Sequence, residues 1–282
     1  MTNLSVFSAR ASLKEAIVSK LKPGSTIGFV PTMGALHEGH LALVERAHKE
    51  NEIVVVSVFV NPTQFNNPTD LEKYPRMLDA DARKLEELGF STLLFAPSVK
   101  EVYPENDTYD PIDLSGLDKV MEGKFRPGHF QGVVHVVRNL FQIVEPNNAY
   151  FGQKDFQQLA IIRHMTKTLK FNINIVGCDT LRQSNGLAMS SRNLRLNEQQ
   201  KEDALILFKT LDHIKKHKDS FNPQELRSLA IQFFQESDLE LEYLDIVDAA
   251  NLSSLQNDWS EQSVCCIAAF CGDVRLIDNM LL

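Results

Sequence analysis

The chain reads as an α/β protein, with a parallel sheet covered by helices on both faces over residues 1–180 and a smaller α+β domain over 181–282. Three observations predict this. Short apolar, β-branched runs alternate with amphipathic segments of helical length, and crossovers of that size join parallel strands. Several strand-to-helix turns carry glycines and polar side chains, at the places where open α/β sheets bind ligands. Beyond about residue 180 the alternation stops, and two helices in succession lead into three strand-like runs.

Ser8 to Leu21 reads as a helix, Thr26 to Val30 as a buried strand, and Leu41 to Lys49 as an amphipathic helix. The run Ile53 to Val60 is rich in β-branched residues and predicts the next strand, followed by a helix over Asp79 to Leu88 and a strand over Ser91 to Phe95. A helix over Gln131 to Val144, a strand over Asn148 to Phe151, a helix over Asp155 to Leu169 and a strand over Ile173 to Gly177 complete the first domain. In the second, Asn197 with Gln200 three residues on, and Asn222 before Pro223 with Glu225 behind, announce the helices. Strand-like runs follow at Leu241 to Val247, Val264 to Phe270 and Val274 to Ile277. Asn66 to Glu72 and Pro97 to Lys124 are the longest irregular stretches.

Composition narrows the function. With 282 residues and 43% hydrophobic side chains the chain can bury a real core. A formal charge of -8 argues against wrapping a nucleic-acid backbone, which calls for a basic face. No apolar run has membrane length and no secretory signal opens the chain, so no membrane partner is expected. Cys178, Cys265, Cys266 and Cys271 show no C-x-x-C spacing and read as reduced core thiols in a cytoplasmic protein, with a zinc site on Cys265, Cys266 and Cys271 as the lesser alternative.

The richest stretch is Pro31-Thr-Met-Gly-Ala-Leu-His37-Glu-Gly-His40, a strand-to-helix turn. Gly34 and Gly39 are expected to let the backbone approach a phosphate, and the helix start adds unpaired N–H groups. His37 and His40, three apart, are candidates to donate to a polyphosphate as charge builds in a transition state. Neither a Walker loop nor a dinucleotide fingerprint occurs, and His37-Glu-Gly-His40 lacks zinc-protease spacing. At a second turn, Lys154 offers a point charge for phosphate and Asp155 an acceptor for ribose hydroxyls. Asn61 and Gln64, after the second strand, supply amides suited to a small polar substrate. Met189-Ser190-Ser191-Arg192 adds two hydroxyls and a guanidinium, Arg126 another cation, and Asp81 a candidate magnesium contact.

Five ordered motifs resemble the pantothenate synthetase (pantoate:β-alanine ligase) family of the nucleotidylyltransferase superfamily. They are Pro31 to His40, Val58-Phe-Val-Asn-Pro-Thr-Gln-Phe65, His129-Phe-Gln-Gly-Val133, Phe151-Gly-Gln-Lys-Asp-Phe-Gln-Gln158 and Gly186-Leu-Ala-Met-Ser-Ser-Arg-Asn193. The resemblance implies a Rossmann-type ATP domain, a lid-like C-terminal domain, a magnesium requirement and a homodimer. Its substrates would be ATP, pantoate and β-alanine, joined through a pantoyl adenylate. It implies phosphate binding and adenylation by His37 and His40, with Met33 at the same turn. It gives Lys154 to phosphate, Gly152 and Asp155 to ribose, and Ser190, Ser191 and Arg192 to the β and γ phosphates, with Leu181 and Met189 also on the ATP side. Gln64 and Gln158 would hold pantoate, with Asn61 and Arg126 beside them.

The chain departs from the family pattern at Asp179, where Pro is usual, and at Gln183, Ser184 and Asn185, where Glu-Ala-Asp is usual. Asn139 stands in place of a lysine, and Ala80 in place of a carboxylate before Asp81. Two other readings use the same motifs: nucleotidyl transfer to a phosphorylated substrate, and a catalytically silent ATP-binding scaffold.

Overall fold

A computed structural model describes residues 3–65, 68–105 and 107–282, which cluster into two units. The first comprises Met1–Ser115, Arg126–Gln153 and Ile161–Asp179, and the second Gly116–Phe125, Lys154–Ala160 and Thr180–Leu282.

The first unit holds six parallel strands: β1 (Leu4–Phe7), β2 (Ile27–Thr32), β3 (Ile53–Val58), β4 (Thr92–Phe95), β5 (Asn148–Gly152) and β6 (Asn174–Cys178), in the order β1-β4-β3-β2-β5-β6. Successive side chains of a strand face opposite ways. Val30, Val54 and Val56 therefore pack with Leu43, Val44 and Ala47 of helix Glu38–Glu50 on one face. On the other face, Phe29 and Phe151 meet Phe141 of helix His129–Val144 edge to face, with centroids 6.3 and 6.4 Å apart. Strand order runs outward from β2 through β3 to β4 in one direction, and through β5 to β6 in the other. Strand order reverses between β2 and β5, and sheets of this kind bind ligands beyond the carboxyl ends at such a point, here after Thr32 and Gly152.

Every strand and helix expected in this unit is present within a few residues. The strand β1 was not foreseen: its four residues show only one fully buried position, and it pairs only with β4, at the sheet edge. The stretches read as irregular contain short helices at Pro68–Lys73, Val99–Val102 and Met121–Phe125, whereas Asn66 and Asn67 lie outside the described residues.

In the second unit β7 (Glu240–Asp248), β8 (Ser263–Cys271) and β9 (Val274–Leu281) form an antiparallel sheet in that order. Helices Leu205–His217 and Pro223–Phe234 cover it, burying Leu211, Ile214, Leu226 and Phe234 against Ile246, Cys265 and Ile267. Both expected capping boxes form, at Asn197 with Gln200 and at Asn222 with Glu225. All four cysteines are buried free thiols. Gln157 explains why 116–125 and 154–160 travel together: its Nε2 donates to the Leu117 and Val120 carbonyls at 2.6 and 2.9 Å, and its Oε1 accepts from Glu122 N at 3.0 Å. Arg275 of β9 then holds Glu122 through both guanidinium nitrogens at 2.7 Å. Among the described residues no helix is long and apolar enough to cross a membrane.

Candidate active site

Three consecutive backbone N–H groups after β2 are each taken by a side chain. Gly34 N donates to Thr32 Oγ1 at 3.1 Å, while Ala35 N and Leu36 N donate to the two oxygens of Asp81 at 2.9 and 2.7 Å. The turn needs this grip because Gly34 and Ala35 both have positive φ, 83° and 50°. Two expectations change here. Asp81, offered by the sequence as a magnesium contact, is 1% exposed and has both oxygens engaged by the turn. Gly34 is small for packing: a Cβ there would lie 2.9 Å from Val58 Cγ1 and 3.0 Å from Asp81 Oδ2, so no phosphate is needed to explain it.

The helix begins at Glu38, earlier than its apolar periodicity suggests, because the histidines themselves start it. His37 Nδ1 accepts from Gly39 N at 3.2 Å, and His40 Nδ1 accepts from His37 N at 3.4 Å, a capping box built from imidazoles. An Nδ1 that accepts cannot carry the proton of a neutral ring, so the donor nitrogen in both is Nε2. The ring centroids lie 4.0 Å apart. Capping and phosphate chemistry are thus compatible: one nitrogen of each ring orients it, and the other keeps a proton to donate.

Asn61 and Gln64 lie just beyond β3, on the turn Pro62–Gln64, and both are buried. Asn61 Nδ2 donates to Gln64 Oε1 at 3.1 Å, and Gln64 Nε2 lies 3.0 Å from Met33 Sδ, so three predicted residues from two turns meet. The motif His129-Phe-Gln-Gly-Val133 serves this turn. His129 Nδ1 donates to the Gln64 carbonyl at 2.7 Å, and a Cβ on Gly132 would stand 2.5 Å from the Thr63 carbonyl oxygen. Helix His129–Val144 therefore touches the turn backbone to backbone. Gly132→Ala is expected to push them apart and cost about 1–3 kcal/mol, read in urea denaturation. An unchanged midpoint would show that the turn yields freely.

In the second unit, Lys154, Ser190 and Arg192 line one shallow depression, with Asn193, Arg275 and Asp278. The hairpin leading into it is pinned at several points. Met189 N donates to the Leu181 carbonyl at 3.0 Å, bringing these two predicted residues side by side. Arg182 grips Asp278 through two bonds of 2.6 and 3.0 Å and donates to Gly186 O and Asn279 O. Asp278 is thereby neutralised, as Arg275 is by Glu122 and Glu242. Ser190 Oγ caps the turn Ser191–Arg195 by accepting from Arg192 N at 3.3 Å. Asn279 Nδ2 donates to the Lys154 carbonyl at 2.7 Å, fixing the lysine's backbone while leaving its ammonium out of that bond.

Gly152 closes β5, Asp155 is exposed, and Gln158, Arg126 and Met189 are half-buried, whereas the neighbouring Gln157 is structural. Two of the departures from the family pattern, Asn185 and Asn139, have local answers. Asn185 Oδ1 accepts from Leu187 N at 3.2 Å, a task an aspartate oxygen would also perform. Asn139 donates to Val102 O at 2.9 Å and to Asp107 at 3.0 Å, beside Arg138, which pairs with the same carboxylate at 2.9 Å. Sequence reasoning missed Thr32, Tyr103, Arg182, Asp278 and Asn279 as supports. Arg182 and Asp278 are 96 residues apart, and no local pattern joins them.

A family model described as pantoate-beta-alanine ligase matches residues 5–281. A pantothenate synthetase of Bacteroides fragilis is 51% identical over 274 residues, covering 94% of this chain and 95% of its own. Another, from Phocaeicola vulgatus, is 53% identical over 264 residues, covering 91% and 92%. Among solved structures, the pantothenate synthetase of Thermus thermophilus superposes with a TM-score of 0.90 at 41% identity, covering 98% of both chains. The pantoate-beta-alanine ligase of Francisella tularensis, complexed with beta-gamma ATP and beta-alanine, gives 0.80 at 38% identity, covering 99% and 97%.

Proposed function

The chain belongs to the pantoate-β-alanine ligase family and is an ATP-dependent ligase that forms pantothenate, and we propose that it works through a pantoyl adenylate. A carboxylate resists an amine because it is already anionic and lacks a leaving group. In the first step a pantoate carboxylate oxygen attacks the α phosphorus of ATP and pyrophosphate departs. In the second, the neutral amine of β-alanine attacks the acyl carbon, AMP leaves with the bonding pair, and the nitrogen gives up one proton to water. No covalent nucleophile of the protein is required. Its work is alignment and stabilisation of the charge that gathers on pyrophosphate.

The observation that carries this reading is the imidazole capping box, which makes Nε2 the donor nitrogen of both His37 and His40 at the switch point of the sheet. Met33 joins them on the ATP side. Lys154, Ser190, Ser191 and Arg192 are read as phosphate ligands, Gly152 and Asp155 as ribose contacts, and Leu181 and Met189 as further ATP contacts. Gln64, Gln158, Asn61 and Arg126 are read as pantoate ligands. Likeness to the family extends the proposal to a cytoplasmic homodimer.

Magnesium is expected with ATP, but Asp81 fits poorly as its protein ligand, because it is 1% exposed and each oxygen already accepts a backbone N–H. Among the described residues no group of three His, Cys, Asp or Glu side chains could hold a metal. We assign the ion to the nucleotide's own phosphates and water, the usual habit of magnesium with ATP.

Pyrophosphate release from ATP and pantoate, followed with and without β-alanine, tests the reading. A burst near one equivalent per active site is expected without β-alanine, and sustained turnover with AMP when it is added. Release that depends wholly on β-alanine would overturn the adenylate. A stable nucleotide-linked product would instead favour nucleotidyl transfer.

A further inference from the structure

The geometry points to Tyr103 as a positioning residue for pantoate: together with Thr63 and Gly132, its hydroxyl holds the Asn61 amide in the orientation that turns the NH2 of Gln64 toward the substrate. The inference rests on the assignment of Gln64 to pantoate made above. A side-chain amide has two chemically opposite ends, one donating and one accepting, and its hydrogen-bond partners decide which way it turns.

The chain of assignments starts from a group without ambiguity. Thr63 N–H can only donate, and it lies 3.3 Å from one end of the Asn61 amide, so that end is the oxygen. The Tyr103 hydroxyl, at 2.7 Å, and Thr63 Oγ1, at 3.0 Å, converge on the same oxygen. The Asn61 nitrogen is thereby turned away, and it donates to the Gly132 carbonyl at 3.2 Å and to Gln64 at 3.1 Å. A carbonyl can only accept, so Gly132 closes the assignment from the other side. Gln64 must therefore meet Asn61 with its oxygen and keep its NH2 outward.

That NH2 lies 3.0 Å from Met33 Sδ. A thioether is a weak acceptor, so an oxygen of pantoate replaces it at little cost. The network makes Gln64 a donor toward substrate, matched to an anionic carboxylate or a hydroxyl oxygen. A reversed amide would present a carbonyl to that carboxylate and repel it.

Tyr103 makes the shortest of the three bonds to the Asn61 oxygen and reaches it from another segment, just after the helix Val99–Val102. Its ring is held edge-on by His135, with centroids 4.7 Å apart, and tilted against Phe59 at 6.3 Å. Burial pushes the phenol up to about 12, so the hydroxyl stays a donor throughout the physiological range.

Steady-state constants for Tyr103→Phe, Gln64→Ala and the double variant test the relay. Tyr103→Phe is expected to raise KM for pantoate roughly fivefold while KM for ATP and β-alanine stays within twofold, the loss of one neutral hydrogen bond. Thr63→Val, which removes the second hydroxyl but not the N–H, should act in the same sense and more weakly. In the Gln64→Ala background Tyr103→Phe should add less than twofold, since no amide remains to be oriented. If Gln64→Ala raises KM for pantoate but folded Tyr103→Phe does not, the relay is overturned and the Gln64 assignment stands. Independent, multiplying effects in the double variant would also overturn the relay. No effect of Gln64→Ala on pantoate would remove the assignment and the relay together.

Discussion

Replacing His40 or Lys154 by alanine is expected to slow pyrophosphate release by a hundredfold or more in an enzyme that still folds. Removing one well-placed donor from a transition state that gathers charge costs about 2.7–4 kcal/mol, which sets that scale. The two variants differ in what else they disturb. Lys154 is clean, because Asn279 holds its backbone carbonyl and alanine keeps that bond. His40 also accepts from His37 N through Nδ1, so His40→Ala removes part of a helix cap and costs about 1 kcal/mol of stability besides. His40→Asn separates the two effects: its Oδ1 can take the place of Nδ1 in the cap, while nothing takes the place of the Nε2 donor. Stability should recover and the rate should not. A folded His40→Asn or Lys154→Ala enzyme with wild-type pyrophosphate release would exclude these side chains from the chemistry.

The parts of this molecule that were legible in the sequence are those whose cause is local. Six-residue β-branched runs such as Ile53–Val58 can hardly be anything but buried strands, and Asn197 and Asn222 announce their helices by spacing alone. Candidate site residues such as His37, His40, Asn61 and Gln64 stood out as polar groups at strand ends, whereas Met33, Gly152 and Gln158 were suggested only by the resemblance to the family. What stayed hidden is long-range. Nothing near Gly132 in the chain reveals that Thr63 and Gln64 lie against it. Nothing near Lys154 reveals that Asn279 takes its carbonyl. Adjacent glutamines looked alike, yet Gln157 stitches a loop while Gln158 stays half-buried beside it. Gly34 misled for a related reason: positive φ and close packing, like phosphate binding, all ask for glycine, and only coordinates tell them apart.

Asp81 turns that same ambiguity into an experiment, because a metal ligand and a turn anchor fail in different ways. Each of its oxygens accepts a buried backbone N–H, and a hydrogen bond to a charged acceptor contributes about 1.5–3 kcal/mol. Asp81→Ala should therefore cost roughly 3–6 kcal/mol, a large fraction of the 5–15 kcal/mol typical of a folded protein. The melting temperature should fall by roughly 10 °C or more. Asp81→Asn preserves shape but sets an NH2 against one of the two N–H donors, so it should also destabilise, by less. In the surviving folded enzyme kcat should drop as the turn bearing His37 and His40 loosens, with the half-saturating magnesium concentration unchanged. A magnesium ligand predicts the reverse pattern: an unaltered melting temperature in Asp81→Asn and a sharply increased magnesium requirement. That second pattern would return Asp81 to the metal and leave Ala35, at a φ of 50°, without the anchor that its strained backbone calls for.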